Sequence, residues 1–167
     1  IHIIREQSER LQGLINNMLM LQRLELEPDF EFSSMSLKSL LDGLETAYRP
    51  RIEGKQIVFD YAPPDDGIVV KVTEKYLFAA LTRILDNAIQ FTAEGGTINL
   101  FVTHALGEVT ISSKDTGIGI TESQLPHIFD SFYRGDDSRP AVSGDNGLGL
   151  TLARGRAWFR GAELLRM

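Results

Sequence analysis

Hydrophobic spacings of helical and strand type alternate along this chain, but not as successive βαβ units, and that order limits the fold more than composition does. Beyond a first long helix, a short alternating strand is expected over 30–33, then a helix over about 37–51 capped by Ser36. Residues 55–61 alternate as a strand, Pro63-Pro64-Asp65-Asp66-Gly67 forms a turn, and 68–72 make a further strand. A long helix opens at Thr73 or Glu74, buries a face that includes Leu77, Leu81, Ile84 and Leu85, and stops at Glu94-Gly95-Gly96. Strands over 97–103 and 108–113 meet at a turn around Leu106-Gly107. A glycine-bearing loop, a short helix over about 123–129, a polar stretch over 134–146 and a last helix over about 148–160 follow. The fold expected from this order is α+β, a two-layer sandwich with helices on one face of a mixed sheet.

Residues 1–27 read as the first helix, with Ile4, Leu11, Leu14, Ile15, Met18 and Leu21 expected on one stripe. Ile4, Leu11 and Met18 share one heptad position, and Leu14 and Leu21 share the other. Gln7 and Glu25 interrupt that seam, and Pro28 ends the helix. Such a stripe needs a partner. Two solutions stay open: packing back on the globular part, or a bundle whose other helices lie in another segment or a second copy.

The 167 residues, 43% of them hydrophobic, suffice for one core with a small appendage. No window reaches the apolar length of a membrane span and no leader opens the chain, so this piece is expected to be soluble. Any membrane attachment would then come through regions absent from it. Without cysteine, disulfides and thiolate metal sites are excluded. A net charge of −6 argues against nucleic acid as the main partner, because phosphate contacts need clustered Lys and Arg.

Three polar or glycine-bearing signals carry the chemistry. Asn87 stands on the apolar long helix, either as a hydrogen-bonded core amide or as an oxygen ligand for Mg²⁺ held together with phosphates. Arg83 and Gln90 share its face, at i−4 and i+3. Asp115-Thr116-Gly117-Ile118-Gly119-Ile120 follows a strand directly. There a carboxylate can accept a hydrogen bond from an amino group, and the glycines let backbone approach a flat ring. Gly144-Asp145-Asn146-Gly147-Leu148-Gly149-Leu150 opens the last helix, where free N–H groups favour phosphate. Singly, each also fits a plain structural role.

In this order the signals resemble the histidine-kinase branch of the ATPase superfamily shared with gyrase B, MutL and a major heat-shock chaperone. Leu85-Asp86-Asn87-Ala88-Ile89 with Phe91-Thr92 and Glu94-Gly95-Gly96 is similar to the N box, and 115–120 to the G1 box. Ile128-Phe129-Asp130-Ser131-Phe132-Tyr133-Arg134 is similar to the F box, which is distinctive for the kinases, and Gly147-Leu148-Gly149-Leu150 to the G2 box. The first helix resembles the second helix of the dimerisation and phosphotransfer hairpin. The resemblance implies a Bergerat-type ATP-binding fold, with 1–27 as part of that hairpin and 28–167 as the catalytic domain, truncated at its C-terminus.

By this likeness Asn87 would hold Mg²⁺ on the phosphates of ATP and Asp115 would read the adenine amino group. Gly117 and Gly119 would shape the adenine pocket, Phe91 would wall it, and Ile120 and Tyr133 would add to it. Residues 132–146 would form a lid, Arg134 would lie near the terminal phosphate, and 147–150 would offer N–H groups to the phosphates. The activity implied is ATP-dependent protein-histidine kinase in the cytoplasm, as a homodimer through the hairpin helices, with a response-regulator receiver domain as partner.

The chain departs from the family pattern in four places. No histidine stands in an acceptor setting, so the chain alone is not expected to autophosphorylate. Arg83 replaces the Asn that opens the N box, and Gln90 a phosphate-contacting Lys. One reading has Arg83 supply the cation that Gln90 lacks; the other leaves Arg83 in solvent. The last sheet strands are not reached. These departures motivate the competing reading of a non-catalytic pseudokinase or nucleotide-sensing dimerisation module.

Overall fold

The computed structural model describes residues 32–105 and 107–130, together with Ile15 and Leu19. The rest of the expected first helix, the lid, the last helix, and the candidate residues Tyr133, Arg134, Gly147, Leu148, Gly149 and Leu150 lie outside the described residues. Those described fall into two compact units, residues 32–119 in one, and Ile15, Leu19 and 120–130 in the other.

The larger unit begins with strand β1 (Ser33–Ser36), which runs straight into helix α1 (Leu37–Gly54). Strands β2 (Val58–Tyr61) and β3 (Val69–Val72), helix α2 (Glu74–Phe91), and strands β4 (Thr97–Ala105) and β5 (Glu108–Asp115) follow. The mixed sheet has order β2-β4-β5, with β2 parallel and β5 antiparallel to β4. A second, two-stranded antiparallel sheet joins β1 to β3. Strand β1 starts three residues later than the aromatic alternation suggests. Its register is set by β3, from Ser33 opposite Val72 to Ser36 opposite Val69.

Ser36 caps α1 as expected, its hydroxyl accepting from the Ser39 N–H at 3.3 Å. The helix runs to Gly54, and the segment expected as the start of a strand at residue 55 is instead its closure. Ile57 N–H donates to Ile52 C=O at 3.2 Å and Gln56 N–H to Glu53 C=O at 2.8 Å. That is the Schellman pattern, with Gln56 left-handed at φ 59° and Ile57 packed in the core beside Ile52. Helical closure therefore outweighs strand alternation at residues 55–57.

The core lies between the helices and the mixed sheet. Leu37, Leu41, Leu44 and Ile52 of α1 and Leu77, Leu81, Leu85 and Ile89 of α2 meet Phe59, Ile98, Leu100, Val109 and Ile111 of the sheet. Each such side chain stabilises the fold by roughly 1.5–3 kcal/mol relative to exposure. The opposite sheet face carries exposed Val58, Asp60, Thr103 and Lys114. Helices on one face of a mixed sheet are the arrangement expected from the sequence, with the β1–β3 pair added.

In the smaller unit Ile15 and Leu19 are helical and exposed, one turn apart. Ile15 belongs to the expected stripe; Leu19 does not. The short helix expected over 123–129 is a run of turns, closed by bonds such as Leu125 N–H to Thr121 C=O and Asp130 N–H to His127 C=O. Pro126 sits inside that run and has no N–H to give, which suits consecutive turns better than a helical ladder. Among the described residues no helix is long and apolar enough to cross a membrane.

Candidate functional site

The site is built where α2 ends against the exit of β5. Helix α2 carries Arg83, Asn87 and Gln90 along one side, the first two half-buried and Gln90 exposed. Among the described residues the Asn87 side chain has no hydrogen-bond partner, so its amide oxygen is available to a ligand. Its neighbour Asp86 is tied to α1: Arg51 forms an ion pair with it, and the Tyr48 hydroxyl lies 3.2 Å away. That hydroxyl also lies 3.3 Å from the Thr82 carbonyl. Burial first, then the Asp86 charge, pushes the Tyr48 phenol up to about 12, while Arg51 and Arg83 pull it the other way. Arg83 thus acts electrostatically on the α1 side of α2.

Helix α2 stops at Phe91, with Thr92 as C-cap donating its N–H to Ala88 C=O at 3.0 Å. Its last turn contains no basic residue. Lys55, just past α1, fills that role. Its ammonium donates to the carbonyls of Ile89, Gln90 and Thr92, the last at 2.7 Å. Sequence reading had no signal for this, because 34 to 37 positions separate the partners.

At the exit of β5, Asp115 stands opposite Ile98 of β4. One carboxylate oxygen accepts from the Gly117 N–H at 2.9 Å, an Asx turn that fixes the side chain and leaves its other oxygen unbonded among the described residues. Thr116 locks the turn to the sheet: its N–H donates to Thr97 C=O at 3.1 Å, and its hydroxyl accepts from Thr97 N–H at 2.9 Å. Gly119 takes φ +72°, a left-handed conformation that suits glycine.

The two segments touch through glycine. A Cβ on Gly117 would lie 2.8 Å from the Phe91 carbonyl oxygen and 2.6 Å from Asp115 Oδ1. A Cβ on Gly96 would lie 2.4 Å from Thr92 Cγ2 and 2.9 Å from Thr116 Oγ1. Phe91 and Ile118 are both exposed, at 36% and 73%. The surface thus joins an oriented carboxylate to exposed apolar groups, suited to a flat heterocycle bearing an amino group.

The structure therefore brings Phe91, Asp115 and Gly117 together, with Asn87 one turn back on α2 and Arg83 a further turn away. Ile120 belongs to the smaller unit and is exposed. Two polar atoms were missed: the hydroxyls of Thr92 and Ser113 are buried without a partner among the described residues. Ser113 was findable. Val109, Ile111, Ser113 and Asp115 share one face of β5, which turns from apolar to polar toward the exit. Among the described residues no three or more His, Asp or Glu side chains gather as a metal site.

The chain matches the family described as histidine kinase-, DNA gyrase B- and HSP90-like ATPases over residues 72–163. It is 31% identical over 155 residues to the sensor histidine kinase RppB of Synechocystis, covering 92% of this chain and 34% of that protein. To the sensor histidine kinase YkoH of Bacillus subtilis it is 28% identical over 168 residues, 98% of this chain and 35% of the relative. It thus spans about a third of the length of these curated relatives. Full-length ShkA in complex with AMPPNP superposes with TM-score 0.74 at 27% identity, over 90% of this chain and 31% of ShkA. The nucleotide-free catalytic domain of the histidine kinase ThkA shares the fold, with TM-score 0.65 at 24% identity over 75% of this chain and 80% of that one. On these residues, this geometry and these likenesses, the chain belongs to the histidine kinase-, DNA gyrase B- and HSP90-like ATPase family, as the ATP-binding catalytic domain of a sensor histidine kinase.

Proposed function

We propose that the chain binds ATP with Mg²⁺ between the end of α2 and the exit of β5, and that the whole protein transfers the γ-phosphoryl group to a histidine. The observation that carries the reading is the contact of Gly117 with the Phe91 carbonyl, which sets the Asp115 turn against the last turn of α2. The free Asp115 oxygen accepts from the adenine amino group, and Phe91 and Ile118 cover the ring. Gly119 keeps the loop open to the base. The AMPPNP complex of ShkA supports a nucleotide ligand for this fold.

The residues present fit Mg²⁺. Among the described residues the Asn87 amide oxygen is unpartnered and no carboxylate cluster surrounds it, which suits an ion held by one protein oxygen and the nucleotide's phosphates. When bound, the ion neutralises charge on the phosphates. By the family resemblance, Arg134 would serve the terminal phosphate, Tyr133 the base and the backbone N–H groups of 147–150 the phosphates; all of these lie outside the described residues.

In the transfer, a nitrogen of the acceptor imidazole bonds to the γ-phosphorus as the bridging P–O bond to ADP breaks. ADP leaves with the electron pair, and the imidazole sheds its proton. This chain's residues position and neutralise; the nucleophile comes from a hairpin whose second helix residues 1–27 resemble in sequence. Exposed Ile15 and Leu19 support a helix that pairs in a homodimer. The phosphoryl group then passes to an aspartate in a response-regulator receiver domain. The setting is cytoplasmic, with any membrane anchor elsewhere in the protein. No observation favours the non-catalytic reading.

Calorimetric titration with ATP, with and without Mg²⁺, tests the site beside Asn87→Ala and Asp115→Ala. Mg²⁺-dependent binding lost in both variants is expected. Equal affinity in wild type and Asp115→Ala, both folded, refutes the assignment.

A further inference from the structure

Helix α2 delivers Asn87 and Phe91 to the site, yet its C-terminus has no cation of its own to offset its exposed carbonyls. The cation comes from a different helix. Lys55 sits at the C-cap of α1, and its ammonium reaches three carbonyls of the last turn of α2: Ile89, Gln90 at 3.2 Å and Thr92 at 2.7 Å. All three hydrogens of an ammonium find acceptors in one place.

Lys55 begins a longer seam. Gln56 C=O accepts from Gly95 N–H at 2.9 Å, and Val58 N–H donates to Gly96 C=O at 2.9 Å. Residues 55–58 are thereby joined to 89–96 by one charged clamp and two backbone bonds. The next layer is the glycine contacts: Gly96 on Thr116, and Gly117 on the Phe91 carbonyl. The backbone bonds secure the loop after Thr92. Of these hydrogen bonds, only those of the clamp reach back to residues 89–92, the stretch that contains Phe91.

We propose that Lys55 is a positioning residue of the nucleotide site, holding the last turn of α2 against the Asp115–Gly119 loop and so fixing the base-binding wall without touching the base. This rests on the ATP reading above. Without the clamp, the last turn of α2 frays and Phe91 with its carbonyl moves off Gly117. The loss falls on the base, so neutral adenosine and polyanionic ATP are affected alike. If Lys55 acted only by its charge, ATP alone would suffer.

The test uses the 167-residue chain with Lys55→Met and Lys55→Arg. Without nucleotide, amide hydrogen exchange in Lys55→Met should quicken about tenfold at Thr92, Gly96 and Gly117, and stay unchanged in the β4–β5 ladder. ATP and adenosine should each lose about tenfold in affinity by calorimetry, with Lys55→Arg recovering most of both effects. Unchanged exchange at those three amides overturns the proposal, as does a loss confined to ATP. Wild-type chain that binds neither ligand would refute the ATP reading, whereas the exchange pattern answers for Lys55 by itself.

Discussion

Gly117→Ala is the substitution whose consequence the structure defines most closely. The added Cβ would sit 2.8 Å from the Phe91 carbonyl oxygen, 3.0 Å from its carbon and 2.6 Å from Asp115 Oδ1, where ordinary contact begins at 3.4 Å. The overlap on Phe91 is therefore about 0.6 Å, and it falls on backbone at the end of a helix clamped by Lys55. Asp115 can swing aside, but only by giving up the 2.9 Å bond from Gly117 N–H that orients it. Overpacking of this kind costs about 1–3 kcal/mol, and for a chain of this size each kcal/mol lowers Tm by roughly 2–4 °C. Gly119→Ala is the comparison: among the described residues nothing lies within 4 Å of its Cβ, and the left-handed φ of +72° opposes it, at about 1 kcal/mol. Urea unfolding and ATP calorimetry should rank Gly117→Ala below Gly119→Ala in stability, with at least a tenfold loss of affinity in the former. A Gly117→Ala chain that melts and binds like wild type would refute the packing argument.

Gln56→Gly should stabilise the chain by about 0.5–1 kcal/mol in urea unfolding, since Gln56 holds φ 59° at the Schellman position where glycine is unstrained. No gain would mean that the Gln56 side chain makes up for its backbone strain. Tyr48 is raised to about 12, so the folded state keeps a proton that the unfolded state releases near its ordinary value of about 10. Its contribution is complete below pH 10 and fades as pH rises through 12; Tyr48→Phe should flatten the stability-versus-pH slope in that window, and an unchanged slope counts against the assignment. Arg83→Ala should weaken ATP about tenfold if Arg83 supplies the cation missing at Gln90. Unchanged affinity would refute that compensation.

What was legible in the sequence follows from how local its cause is. The α2 apolar face, the Ser36 cap and the β4–β5 hairpin each rest on residues within a turn or two of one another, and all three stand as expected. The Asp115 turn is equally local, carboxylate and amide being two residues apart, yet the sequence reading gave that carboxylate to a ligand and not to the Gly117 N–H. Errors fell where a distant partner decides. β1 takes its register from Val69–Val72, more than thirty positions on, and its own aromatic alternation did not predict that. The start of β2 went to helix closure, because Ile57 gains more by packing beside Ile52 than by pairing.

The candidate site divides along the same line. Its ligand-facing groups, Asn87, Phe91, Asp115 and the glycines, stand in short motifs, whereas what holds those motifs together does not. Lys55 looks like an ordinary surface lysine before a strand, and Gly96 like an ordinary helix stop. Their partners are three helix-end carbonyls and the Thr92 and Thr116 side chains, none of which a local pattern can anticipate. It follows that substitutions at Lys55, Gly96 and Gly117 should damage nucleotide binding through position, losing ATP and adenosine together. Substitutions at Asn87 should act through the phosphates and Mg²⁺, sparing adenosine. Measuring both ligands across these four sites separates the groups that meet the nucleotide from those that hold the pocket in shape, and a uniform response would show that no such division exists.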